Sequence, residues 1–185
     1  MGTPAPGGAQ TVERGRRDRL VSRCRGREPY SCSFGGLLTG PSPVDRARTG
    51  SKHHLLTDAG GLPLTLIGGN RHGVTQLLAL LDGVKPVAGK VGRPPKRPSV
   101  LFADPVNYDK YRREVRARGI KPVIARRSTE HGSGLGRHRW VVERTFTWLH
   151  QFRRLRIRWE RDPEQHLALL HLAPAIICWR RLQSL

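Results

Sequence analysis

Apolar and polar positions along the chain alternate with two different periods. Val142, Phe146, Leu149 and Phe152 recur at helical spacing within 137–158, R-H-R-W-V-V-E-R-T-F-T-W-L-H-Q-F-R-R-L-R-I-R, with arginine prominent between them. Val74, Leu77, Leu78 and Leu81 predict a short helix over 74–81, and 108–118 predicts another, ended by Gly119. Asp162-Pro163-Glu164 caps a last helix carrying Leu167, Leu170, Ile176, Ile177 and Leu182, with a kink expected at Pro174. Residues 51–57 read as a strand leading into a turn at Asp58-Ala59-Gly60-Gly61, and 62–67 as its hairpin partner. Val100-Leu101-Phe102-Ala103 is a continuous apolar run, as in a strand buried on both faces, and 121–125 is another short strand.

The order is hairpin, helix, strand ending in Asp104, helix, strand, basic loop over 126–136, helix carrying Glu143 and closing helix. This is the pattern of an α/β mixed sheet flanked by helices, with one strand lacking at the front. Residues 1–34 differ in texture: a Gly/Pro-rich start, then an Arg-dense run with little that could pack. They are expected to form a disordered basic arm ahead of a folded domain at 35–185. A basic linker at 87–98 contains Gly92-Arg93-Pro94, a tripeptide found in minor-groove hooks, although a solvated loop explains it as well.

Charge narrows the class of partner. The formal net charge is +20, from 34 Lys plus Arg against 14 Asp plus Glu, and such a surface repels itself unless a polyanion or counterions neutralise it. Residues 1–34 hold seven arginines and three acids, so most of that charge belongs to the rest of the chain. Nucleic acid is the first candidate. A membrane is disfavoured, since the longest apolar run, near 167–179, is interrupted by His171 and Pro174. No signal peptide is legible, and three scattered cysteines make no disulfide framework, so a reducing cytoplasm is expected.

Two carboxylates stand out. Asp104 follows an apolar strand, and the carboxyl ends of strands in α/β sheets are where ligands collect, although a turn residue before Pro105 is the plain alternative. Glu143 sits among arginines, where neutralising a solvated helix face is the ordinary role. The blocks T-G-P-S-P-V-D-R-A-R-T-G-S-K-H-H-L-L-T-D, G-G-N-R-H-G-V-T-Q-L-L, L-F-A-D, Y-D-K-Y-R-R-E-V-R-A-R-G-I and H-G-S-G-L-G-R-H-R-W-V-V-E-R-T-F-T-W-L-H-Q-F-R-R-L-R-I-R-W-E change this weighting. In that order, over 35–182, the chain resembles the catalytic part of bacterial insertion-sequence transposases of the DDE class, which have a ribonuclease-H-like fold.

The resemblance implies metal-dependent DNA strand cleavage and transfer at insertion-sequence ends. It makes Asp104 and Glu143 the second and third catalytic acids and ligands of Mg2+ (or Mn2+), with Arg139 in the same helix motif. Arg144, Arg153, Arg154, Arg156 and Arg158 become candidate DNA-binding residues, with terminal inverted repeats and target DNA as partners and a homo-oligomer admitted. Trp148 and Trp159 are expected in the core, with stacking on a distorted DNA end as the alternative.

Two departures qualify the resemblance. The family pattern A-D-x-G-Y-D reads A-D-P-V-N-Y-D here, one residue longer. The V-D-A-S-type strand that carries the family's first catalytic aspartate is absent, and Asp18, Asp45 and Asp58 are poor substitutes. Codon freedom allows Asp18 through Gly36 to encode such a strand one base later, which suggests that 1–34 is an out-of-frame arm. On this reading the first catalytic strand is missing, and little or no strand transfer is expected. The alternative function is a non-catalytic DNA-binding remnant of a transposase.

Overall fold

The computed structural model describes residues 19–24, 30–41, 46–85, 98–103, 109–124 and 136–184. The strands are β1 (Arg19–Cys24), β2 (Tyr30–Ser31), β3 (Gly40–Pro41), β4 (Thr49–Ser51), β5 (His53–Asp58), β6 (Pro63–Gly68), β7 (Val100–Ala103) and β8 (Lys121–Ile124). The helices are α1 (Gly73–Asp82), α2 (Asp109–Ala117), α3 (Gly136–His150), α4 (Arg153–Arg156) and α5 (Pro163–Gln183). A five-stranded mixed sheet in the order β6-β5-β1-β7-β8 forms the centre, and a small sheet β2-β4-β3 lies apart from it.

The large sheet has its central strand, which corrects the expectation that the first strand is lacking. β1 pairs antiparallel with β5 and parallel with β7, so that Leu20 lies opposite Asp58 on one side and Leu101 on the other. R-L-V-S-R-C lacks a clear alternation of apolar and polar residues. Its place follows from backbone pairing along both edges, each of which would otherwise leave a neighbour's N–H and C=O groups open. The expected disordered arm therefore contains the strand that joins the β5–β6 hairpin to the parallel pair β7–β8. The rest of the arm up to residue 29, the linker with Gly92-Arg93-Pro94 apart from residue 98, and the loop over 126–136 apart from residue 136 lie outside the described residues.

Helices cover both faces of the sheet, and β5 shows why. All six of its residues are buried, and successive side chains point to opposite faces. Leu55 enters a core with Leu66, Val142, Phe146, Leu149, Leu155, Leu170 and Ile177, which α3 and α5 complete. Leu56 enters the other, with Leu77, Leu80, Leu101, Val115 and Ile120, under α1 and α2.

Local signals end most elements as expected. Gly119 takes φ +74° after α2, and the Asp162 carboxylate accepts the Glu164 N–H at 2.9 Å to cap α5. α5 is continuous through Pro174. The helical spacing through Phe152 overshoots, because α3 stops at His150 and Phe152 is extended before the single turn of α4. No helix among the described residues is long and apolar enough to cross a membrane.

Candidate functional site

α3 is fixed by its buried face and by the hairpin turn. Val142, Phe146 and Leu149 are fully buried, which leaves Glu143 half-buried at the edge of that face. Thr145 donates from Oγ1 to the Gly61 carbonyl at 2.7 Å, and Arg144 donates to the Gly60 carbonyl at 2.5 Å. The Arg144 guanidinium lies over Trp140 at 4.5 Å and over Trp148 at 4.9 Å. Arg144 thus holds the turn. Trp148 lies partly buried against the core, as expected.

Asp58 builds that turn from inside. Its Oδ1 accepts the N–H groups of Gly60 and Leu62, each at 2.8 Å, and Gly61 takes φ +84°. Asp58 is 4% exposed and holds the turn through these bonds. The register locates the turn along the sheet. Leu20, opposite Asp58, also pairs with Leu101, whereas Ala103, the residue before Asp104, pairs with Ser22. The contacts that anchor the Glu143 helix therefore lie at the amino end of β7 and not at its carboxyl end.

Asp104, Asp18 and Asp45 lie outside the described residues, and Arg139 is described only as part of the α3 backbone. No group of three or more His, Cys, Asp or Glu among the described residues is placed to hold a metal ion. Asp104 and Glu143 offer oxygen donors that suit a hard divalent ion. A third carboxylate is wanting on β1, where Ser22 pairs with Ala103 and is followed by Arg23 and Cys24. Among the described residues the donor set expected for a two-ion site is not assembled.

The remaining candidate arginines divide sharply. Arg153, Arg154 and Arg156 of α4 are exposed, whereas Arg158 is 2% exposed. Arg158 donates from Nε to the Glu160 carbonyl and from a terminal nitrogen to the Leu37 carbonyl, both at 2.9 Å, and so supports the chain around it. Between α4 and α5 the backbone is extended. Ile157 and Trp159 face solvent and Arg158 and Glu160 face inward, a period of two within a stretch that reads as helix. Trp159, expected in the core, is 49% exposed for this reason.

Beneath this segment lies a polar cluster that the pattern of the sequence did not reveal. His53 Nε2 of β5 is 3.2 Å from His166 Nε2 of α5, and Glu160 approaches His166 Nδ1 at 3.7 Å. Burial, with Arg158 beside it, pulls His166 down to about 4, an effect that Glu160 only partly offsets. Burial also opposes the charge on Glu160. Its bond from Arg154 at 2.7 Å and the backbone N–H groups it accepts nevertheless hold the carboxyl below the usual range. His53 sits at the amino end of β5, hence at the carboxyl end of β1, so the exposed arginines of α4 border that end of the sheet.

Residues 37–178 match the family model described as the transposase DDE domain. The chain is also 51% identical over 187 aligned positions to a protein assigned as the transposase for insertion sequence element IS402 of Burkholderia cepacia, a match that covers 99% of this chain and 88% of the relative. It therefore extends into the arm. DDE transposases act in DNA transposition and work with divalent metal ions. A family match over most of the chain and a relative at this identity have one meaning: the chain belongs to the DDE transposase family of insertion sequences.

Proposed function

We propose that this chain binds the terminal inverted repeats of an insertion element and its target DNA, in a bacterial cytoplasm, as a ribonuclease-H-like transposase domain. The observation that carries this reading is the sheet order, a central β1 with an antiparallel hairpin on one side and two parallel strands on the other. Asp104 follows β7 directly, and α3, which bears Glu143, packs on β1 and β5. The net charge of +20 supports a phosphate-rich partner.

On this reading Asp104 and Glu143 would hold the divalent ion, Mg2+ or Mn2+. Such an ion activates the attacking oxygen and stabilises the leaving one when it is bound. Arg139, one helical turn before Glu143, would hold the scissile phosphate, and Arg153, Arg154 and Arg156 would follow the backbone. A homo-oligomer would let two copies hold two ends together.

Two observations favour a binding role over strand transfer: β1 brings no carboxylate, and the anchor of α3 lies at the amino end of β7. The test measures binding and nicking of end-bearing DNA with Mg2+, Mn2+ or EDTA, for the wild type and Glu143→Gln. Salt-dependent binding is expected to persist in EDTA and in the variant. Cleavage is expected to be weak at most and to vanish in both. Cleavage that survives either treatment would remove the metal–carboxylate assignment, and absence of DNA binding at low salt would remove the whole reading.

The reading frame of residues 1–34 has its own test, the DNA sequence of the locus in three forward frames. A V-D-A-S-type strand in a neighbouring frame would mark the arm as frameshifted. Its absence would make Arg19–Cys24 the native centre of the sheet.

A further inference from the structure

Trp159 occupies a costly position for a tryptophan. The residue is 49% exposed beside Phe34, which is 57% exposed, with ring centroids 6.0 Å apart. Arg161 lies over Phe34 at 5.6 Å, and Ile157, on the same side of the extended segment as Trp159, is 40% exposed. Water-facing aromatic surface of this extent forgoes the free energy that burial would supply, so a contiguous patch of it marks an interaction site.

The patch is hydrogen-bonded to the fold and borders a cavity. Arg153, Arg154 and Trp159 line an open hollow of about 420 Å³. Two of these walls are tied to one buried carboxylate: Glu160 accepts from Arg154 at 2.7 Å through Oε1 and from the Trp159 backbone N–H at 3.3 Å through Oε2. From the other side, the Ser33 N–H bonds the Arg158 carbonyl at 3.0 Å, which keeps Phe34 next to Trp159. The hollow is thus organised before anything enters it, and the ordering cost of binding is reduced.

An exposed ring bordered by guanidinium groups, on a chain of net charge +20, matches an aromatic base flanked by phosphates. We propose that this hollow takes an unstacked nucleobase from a frayed or single-stranded DNA end, with the base against Trp159 and its neighbouring phosphates on Arg153 and Arg154. The proposal rests on the DNA-binding reading above and deepens it, since it names an unpaired strand, and not a continuous duplex, as the occupant of this part of the surface. Its position at the carboxyl end of β1 agrees, because ligands of α/β sheets gather at that end.

The experiment compares a forked duplex, with unpaired bases at one end, against a blunt duplex of the same sequence. Affinities are measured for the wild type, Trp159→Phe and Trp159→Ala, each checked for a wild-type thermal melt. Trp159→Ala is expected to weaken forked DNA binding about five- to a hundredfold while changing blunt binding less than twofold, with Trp159→Phe in between. A 2-aminopurine in the unpaired strand should be quenched by the wild type and not by Trp159→Ala. Equal losses on the two DNAs, or no loss on the fork, would overturn the base pocket and leave general DNA binding standing. A wild type that binds neither DNA would overturn both.

Discussion

Arg158→Met is expected to lower the stability of the folded chain by about 2–4 kcal/mol, a large part of the 5–15 kcal/mol typical of a domain. The methionine fills much of the same space but makes neither hydrogen bond. The Glu160 carbonyl, now bonded at 2.9 Å, would be left in a buried setting without its charged donor, and the exposed Leu37 would lose its bond at 2.9 Å. Through Leu37 the guanidinium also ties the 30–41 segment to the rest of the domain, so the substitution loosens that attachment. Denaturant unfolding at neutral pH measures the effect. A loss below 1 kcal/mol would mean that Arg158 is not the strut its contacts imply.

Acid is expected to unfold the chain earlier than its carboxylates alone would require. Burial lowers His54 from the usual 6.5 to about 4, and His166 likewise falls to about 4. Burial also pulls His53 well below 6.5, helped by His166, His150, His54 and Arg158. The sign follows from proton uptake. Below pH 6.5 the unfolded chain binds protons that the folded rings refuse, until the pH reaches about 4. Stability from neutral His54 and His166 is complete above pH 6.5, falls through the window from 6.5 to 4 and levels off below it, and His53 adds a loss of the same sign.

For His54 and for His166, the fall from 6.5 to about 4 corresponds to a loss on the order of 3 kcal/mol across the whole window. Carboxylates begin to titrate near the lower edge, so unfolding free energies between pH 6.5 and 5 carry the diagnostic slope. His166→Gln should flatten it. A pH-independent wild type over that interval would refute the account.

The contrast between what the sequence reveals and what it hides follows from the range of the forces involved. The β5–β6 hairpin, β7, α2 with its terminal Gly119 and the Asp162 cap are local features, set by residues a few positions apart, and they were legible. β1 was not, because R-L-V-S-R-C becomes a strand only through partners far along the chain. Arg158 and Trp159 were misjudged together. An arginine-rich stretch reads as a solvated helix face, but here the chain leaves the helix and alternates, burying the cation and exposing the ring. His53 and His166 meet across 113 positions, beyond any local pattern. The family was legible through resemblance, whereas the anchoring of α3 at the amino end of β7 depends on hydrogen bonds to a turn that no motif encodes.

The central position of β1 also orders events during synthesis. Arg19–Cys24 is made early, yet its two partners are β5 and β7, and the second ends only at Ala103. Until the ribosome has released that much chain, β1 presents an open edge on the side that β7 will occupy, able to pair with another nascent copy. The sheet therefore closes late and slowly for its length, because its defining contacts are distant ones. Translation pauses after β6, or chaperones that cover a free strand edge, should accordingly decide how much of this polypeptide becomes native and how much aggregates.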